Sequence, residues 1–336
     1  MTARDPPALS GEDRLIAQYF RPLARHPGAM ELRDDAAFYT PPDGCDLVLT
    51  KDAIVAGVHF FADDPADAVG RKALRVNLSD LAAKGAVPQG FLLALALPSD
   101  IGDAWLEGFA RALGADADQY GCPLFGGDTV STPGPLTVSI TAFGTLPRGT
   151  MVHRSGAGVG DRVFVTGTVG DGALGLRLRR DPAKAAQWSL DAAARDHLVE
   201  RYRTPQPRTA LAEAVRRHAS AAMDVSDGLA GDLGKLCRES GVTAEIEVAR
   251  VPLSAPAGAA LAADPALIEA MLTGGDDYEI VCTVRPERID AFRAEAAAAG
   301  VPIADIGGVV AGEGPPRFAD RSGHVLAFAR GAFSHF

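Results

Sequence analysis

The stretch ADAVGRKALRVNLSDLAAKGAVPQGFLLALAL, residues 66 to 97, decides the reading of the fold. Over 66 to 84 its apolar residues recur at the spacing of a helix with one buried face. From Phe91 to Leu97 the run FLLALAL is short and unbroken, as in a buried strand bounded by turns. Upstream, residues 12 to 25 have helical spacing. Leu47 to Thr50 and Ile54 to Phe61 read as two strands with Asp52 between them. Downstream come a helix across 103 to 120 and the strand LTVSITAFGTL. The glycine-rich turn RSGAGVGD then leads into the strand RVFVTGTV, which places a domain boundary near residue 150. Beyond it the pattern predicts helices near 173 to 180, 189 to 203, 206 to 219, 228 to 240, 256 to 272 and 286 to 299, with strands at AEIEV, YEIVCTV and near VPIADIGGVV. The expectation is an α+β protein of two domains, 1–150 and 151–336.

Bulk properties agree with two cores, because 336 residues exceed the usual size of one domain, about 100 to 200 residues. The chain is 47% hydrophobic and 23% charged, the composition of a globular protein. A net charge of -10 argues against nucleic acid or an anionic membrane as partner, and means that a phosphate ligand would need bound cations. Cys45, Cys122, Cys237 and Cys282 lie far apart, without zinc-site spacing, and are expected to be reduced thiols in a cytoplasmic protein. The polar N-terminus MTARDPPALSGEDR has no signal-like apolar run, and no apolar stretch is long enough for a membrane span.

The chemistry is suggested by where aspartates fall. Asp34, Asp35, Asp52, Asp80, Asp128, Asp224, Asp227, Asp276 and Asp277 lie at element ends or among small residues, not on charged helical faces. Carboxylates carried toward partly dry surroundings need compensation, and divalent cations shared with phosphates would supply it. Each one alone also reads as a turn former or helix cap. Asp80 sits on the 66 to 84 helix with Asn77 at i−3 and Leu78 and Leu81 beside it, its ordinary alternative being a surface pair with Lys84. In MDVSDGLAGDLGKL, Ser226 or Asp227 is expected to cap a helix whose Leu229, Leu233 and Leu236 face inward, leaving a helix N-terminus for a phosphate or metal. Arg154 is the side chain best placed to reach a nucleotide phosphate, and a plain surface arginine is its alternative. His59, in the stretch GVHF, either touches substrate or is a structural strand histidine. Gly170-Asp-Gly-Ala-Leu-Gly175 matches a dinucleotide fingerprint, but no second parallel strand follows, and Asp171 would put negative charge at the pyrophosphate. A tight turn accounts for it better. Neither a P-loop nor a protein-kinase motif set is present.

Taken in order, RDDAAF, LTKDAIVAGVHF, KALRVNLSDLAAKGA, FGGDT, RSGAGVGD, VTGTVGDGALGL, MDVSDGL and LTGGDDYEI resemble the thiamine-monophosphate kinase family, from about residue 12 to the C-terminus. The resemblance places the chain with aminoimidazole ribonucleotide synthetase and selenophosphate synthetase. It implies a two-domain α+β fold, a homodimer whose N-terminal sheets pair, and a cleft holding ATP and several magnesium ions. It further implies magnesium-dependent in-line transfer from ATP to thiamine monophosphate. Carried over by motif, the metal ligands are Asp34, Asp35, Thr50, Asp52, Asp80, Asp128, Asp224 and Asp227, with Lys51 at a further metal position. ATP is expected on Tyr120, Gly127, Asp128, Arg154 and Ser226, and thiamine monophosphate on His59, Asp276 and Phe333. Asp52, Asp128 and Arg154 are the expected catalytic residues.

Four positions depart from the family pattern. Arg33 replaces a glycine before the double aspartate, Lys51 a small hydroxyl residue, Asp276 a glutamate and Phe333 a tyrosine or tryptophan. Two rivals remain at this stage. Another ATP-using member of the superfamily is one, although the reactive N-terminal cysteine of selenophosphate synthetase is missing. A non-catalytic metal-binding module is the other, although D-x-D-x-D-G loops are absent.

Overall fold

The computed structural model describes residues 11 to 329, so Phe333 lies outside the described residues. Strands β1 (Cys45–Val55), β2 (Val87–Leu97), β3 (Leu124–Ser131) and β4 (Thr137–Pro147) form a sheet in the order β1-β4-β2-β3, with β2 and β3 parallel. Strands β5 (Arg162–Thr166), β6 (Ala219–Val225), β7 (Thr243–Glu247), β8 (Glu279–Val284), β9 (Ile303–Val310) and β10 (Arg317–Ala319) form a second sheet. Its order is β10-β7-β9-β5-β8-β6, antiparallel except for the β10–β7 pair. The chain gathers into two compact units, one of Met1–Pro42, Leu49–Leu74 and Pro88–Phe143, the other of Asp43–Val48, Arg75–Val87 and Gly144–Phe336. This is the expected α+β architecture with two sheets.

The six-stranded sheet has apolar cores on both faces. On β8, Val281 enters a core with Leu229, Leu233 and Leu236 of the helix Leu229–Ser240, whereas Ile280, Cys282 and Val284 enter another with Phe164 and Phe292. Successive strand side chains point to opposite faces, so a strand covered twice has no polar alternation, and YEIVCTV reads accordingly. In the first unit, Gly70 of the helix Ala66–Ala83 lets that helix approach the helix Asp103–Gln119; a Cβ there would stand 2.7 Å from the Phe109 carbonyl oxygen.

Several sequence expectations are corrected. Leu47 to Thr50 and Ile54 to Phe61 are not two strands: β1 runs through Asp52 and stops at Val55, followed by a turn at Gly57 with φ 82°. Residues 12 to 25 break into a short helix, a π turn and a 3-10 turn rather than one helix. The 206 to 219 helix is a 3-10 turn and the helix Ala212–His218, after which β6, absent from the sequence reading, begins at Ala219. Helix 256 to 272 is two helices, Ala255–Ala263 and Leu267–Thr273, separated at Asp264-Pro265 because the residue before proline disfavours helical backbone. Strand β3, carrying FGGDT, was likewise not expected from its glycines.

Candidate active site

In the first unit, Gly127 on β3 lies opposite Leu93 on β2. A Cβ there would come within 1.9 Å of the Leu93 carbonyl oxygen, so the strands can approach only with glycine at this position. Asp128 follows, exposed at a cavity of about 460 Å³ that Asp34, Asp35, Ala36, Gly126 and Gly127 also line. The double aspartate and the FGGDT residues are therefore brought together. The turn before them is unusual: Met30, Glu31 and Leu32 have φ of 50°, 53° and 53°, a region side-chain-bearing residues rarely adopt. Arg33 itself has φ −114° and needs no glycine, and its guanidinium stands 3.3 Å from Glu31. Asp34, Asp35 and Asp128 are exposed, which for Asp128 corrects the expectation of partly dry surroundings.

On β1, Thr50 and Asp52 are half-buried, while Leu49, Lys51 and Ala53 are exposed, as strand alternation requires. Lys51 therefore points away from the Thr50 and Asp52 face, and its Nζ donates to Ser139 Oγ at 2.8 Å. His59 lies in the turn after β1, not on a strand; its Nδ1 accepts the Val55 N–H at 3.1 Å and its carbonyl accepts Lys72 Nζ at 2.9 Å. The first of those contacts fixes the half-buried ring through Nδ1. Tyr120, half-buried, ends the helix Asp103–Gln119.

In the second unit, Asp80, Asp224 and Arg154 converge on a residue that sequence reasoning set aside. Lys84 is half-buried, and its Nζ donates to the Ala222 carbonyl on β6 at 2.7 Å. Burial, and then the Arg154 cation, push its ammonium down to about 8, while Asp224 and Asp80 hold it up. All three charged groups are thus near enough to act on one ammonium. Asp224 is buried, and its carboxylate accepts Ser79 Oγ at 3.0 Å from the helix that carries Asp80.

The loops after β6 and before β8 interlock. Asp276 donates its N–H to the Ser226 carbonyl at 3.0 Å and Tyr278 donates to Val225 at 2.8 Å, bringing together residues expected to hold ATP and thiamine monophosphate. A Cβ on Gly275 would lie 2.3 Å from the Ser226 carbonyl oxygen. Asp276 has φ 73°, a left-handed conformation that aspartate tolerates better than most residues. Neither Ser226 nor Asp227 caps the following helix with its side chain; Gly228, at φ 108°, occupies the cap position. Instead Asp232 accepts the Asp227 N–H at 2.8 Å, and Lys235 donates to Asp227 at 2.6 Å and to Asp232 at 2.8 Å. Burial alone would lower the Lys235 pKa, but hydrogen bonds to both carboxylates hold it above the ordinary value. Asp232 and Lys235 were missed; their i, i+3 spacing was the available signal.

Asp277, one of the nine aspartates, is buried and accepts N–H groups from Gly170 at 2.7 Å and Gly172 at 3.0 Å. The G-x-G-x-x-G match is accordingly a packing device. Gly170 has φ 92°, and a Cβ on Gly172 would stand 2.4 Å from the Asp276 carbonyl oxygen. Asp171 is fully buried, accepting the hydroxyls of Thr168 at 2.7 Å and Ser254 at 2.5 Å.

Among the described residues, no three carboxylate, imidazole or thiol groups stand close enough to hold a metal by themselves. The carboxylate chemistry nevertheless suits hard cations, which complete their coordination with water and substrate phosphate oxygens.

Models of the AIR synthase related protein match this chain, the N-terminal domain over residues 33–146 and the C-terminal domain over 158–317. A thiamine-monophosphate kinase of Caulobacter vibrioides is 49% identical over 303 residues, 89% of this chain and 84% of that protein. The crystal structure of a thiamine-monophosphate kinase from Stenotrophomonas maltophilia superposes with TM-score 0.79 at 37% identity, covering 94% of this chain and 96% of that one. AaThiL complexed with AMPPCP and TMP superposes with TM-score 0.75 at 31% identity, over 90% and 91% of the two chains.

Proposed function

We propose that this chain, which belongs to the thiamine-monophosphate kinase family, transfers the γ-phosphoryl group of ATP to the phosphate of thiamine monophosphate, giving ADP and thiamine diphosphate. The observation that carries the reading is the likeness, over nine-tenths of the chain, to a protein solved with AMPPCP and TMP together. Convergence of Asp80, Asp224 and Arg154 on Lys84 supports it, because phosphate chemistry needs carboxylates for cations beside a cation for the phosphate itself.

The acceptor is a phosphate monoester with second pKa about 6, so near neutrality its oxygen is already largely anionic and needs no strong general base. Repulsion between two anionic phosphates is the obstacle. Arg154, a forked donor on an exposed turn, is assigned to the transferring phosphoryl group. Asp34, Asp35, Thr50, Asp52, Asp80, Asp128, Asp224 and Asp227 are the residues that would hold magnesium, which would supply positive charge to offset that of the phosphates. Lys235 donates to one oxygen of Asp227, which leaves the other oxygen to serve a cation. Gly127, Ser226 and Tyr120 are assigned to ATP, and His59 and Asp276 to thiamine monophosphate, with direct in-line transfer and no phospho-enzyme.

Exposed Leu49, Leu92 and Val130 on β1, β2 and β3 support a homodimer in which these sheets pair, since such apolar side chains are otherwise left to water. Free thiols at Cys122, Cys237 and Cys282, all buried, accord with a reducing cytoplasm. No helix of the described residues is long and apolar enough to cross a membrane.

The deciding assay incubates purified protein with Mg-ATP and thiamine monophosphate. Stoichiometric thiamine diphosphate and ADP are expected; ADP without thiamine diphosphate would sink the acceptor assignment.

A further inference from the structure

A half-buried lysine whose ammonium feels the Arg154 cation is costly, and a methionine would fill the same space without that cost. Lys84 nevertheless stands there, and its bonds form a closed ring. Its carbonyl accepts the Val152 N–H at 3.3 Å, and its Nζ donates to the Ala222 carbonyl at 2.7 Å. The Ala222 N–H in turn donates to the His153 carbonyl at 3.0 Å. One residue therefore ties three segments: the helix end carrying Asp80, the strand carrying Asp224 two positions beyond Ala222, and the turn carrying Arg154 immediately after His153. Ser79 adds a second tie from the same helix, to Asp224 itself at 3.0 Å.

We infer that Lys84 is a positioning residue of the phosphoryl-transfer site, fixing the Asp224 strand and the Arg154 turn relative to Asp80. This inference rests on the kinase reading of the site. The backbone of the Arg154 turn is otherwise held at its far end, by Ser240 Oγ donating to the Arg154 carbonyl at 3.1 Å and accepting the Ala157 N–H at 3.2 Å. Lys84 secures the near end. Without its Nζ, Ala222 loses a charge-assisted partner while the packing of the four-carbon stem remains possible, so geometry suffers more than the fold.

The test compares Lys84→Met, which keeps the stem, with Lys84→Arg, which keeps a charged donor. Calorimetric titration with Mg·AMPPCP, without thiamine monophosphate, gives affinity; steady-state assays give kcat, KM for ATP and the magnesium concentration for half-maximal rate. Urea unfolding checks stability. Expected for Lys84→Met is unfolding within the wild-type range, roughly tenfold weaker Mg·AMPPCP binding and a raised magnesium requirement, with Lys84→Arg recovering binding to within about threefold. Binding by Lys84→Met within twofold of wild type overturns the inference. Loss of stability with unchanged affinity in the folded protein also overturns it, by showing a structural role alone. Should Lys84→Met fail to fold, Lys84→Arg decides: threefold or less supports positioning, and a larger loss counts against it. Wild-type protein that binds Mg·AMPPCP but makes no thiamine diphosphate sinks the acceptor assignment and leaves this comparison intact.

Discussion

Asp128 and Glu279 are both acids on strands, yet their surroundings are opposite. Asp128, on β3, is exposed at a cavity whose walls include two more carboxylates, Asp34 and Asp35. Glu279, at the start of β8, is fully buried, accepting Thr166 Oγ1 at 2.7 Å, Arg201 Nη2 at 2.9 Å and Arg208 Nε at 2.6 Å. Room for that side chain comes from Gly167, at φ 54°, where a Cβ would lie 2.1 Å from Glu279 Oε1. A buried carboxylate whose oxygens are taken up by the protein has no capacity left for a cation or phosphate, whereas an exposed one among like charges does. Of these two acids, only Asp128 is open to a cation or a phosphate from solvent.

The contrast predicts opposite consequences for two conservative changes. Asp128→Asn removes charge at an exposed position, so stability should move by no more than about 0.5 kcal/mol while kcat falls by about 10³-fold, roughly 4 kcal/mol of transition-state stabilisation. Turnover within tenfold of wild type would remove Asp128 from the cation set. Glu279→Gln should do the reverse. It leaves Arg201 and Arg208, with side chains only 10% and 21% exposed, short of a counter-charge, costing about 3 kcal/mol in urea unfolding. Activity per folded molecule should stay within a fewfold. A large kcat loss at unchanged stability would show that the buried network reaches the reaction after all.

Much of this was legible in the sequence, and the failures share a cause. The helix over 66 to 84 and the doubly covered β8 were readable because one or both faces are apolar throughout. Strand β1 was split because Lys51 and Asp52 interrupt its apolar run, though a strand with one exposed face tolerates both. In β3, glycine lowers strand propensity, yet Gly127 is there because parallel strands approach too closely for a side chain. The order of motifs names candidate site residues, but it does not give their contacts. The hydrogen bond from Lys84 to the carbonyl of Ala222 spans 138 residues of sequence, which no local spacing displays. The bonds of Asp277 are similarly remote, 107 and 105 residues from Gly170 and Gly172, and its neighbours Asp276 and Tyr278 both have positive φ.

Asp277 supplies the finest separation between the two kinds of acid. Burial pushes its carboxyl up to about 8, against the lowering effect of the Gly170 and Gly172 N–H groups; Asp171 adds to the rise and Arg201 opposes it. With an ordinary value of 3.8, the native state binds a proton there that the unfolded chain has lost between about pH 4 and pH 8. The unfolded state binds fewer protons in that window, so this contribution to stability is complete below pH 4 and declines as pH rises through 8. Its slope cannot exceed about 1.4 kcal/mol per pH unit. Asp277→Asn removes the titration but places an amide nitrogen against one of the two N–H donors. The variant should therefore be less stable by about 1 to 2 kcal/mol at pH 5, with the deficit closing as pH rises and reversing, so that the variant is the more stable protein near pH 8. Urea midpoints measured from pH 5 to 8 check this. A deficit that is constant across the range would mean that Asp277 is ionised throughout, held as a carboxylate by the two glycine N–H groups and Arg201 despite its burial.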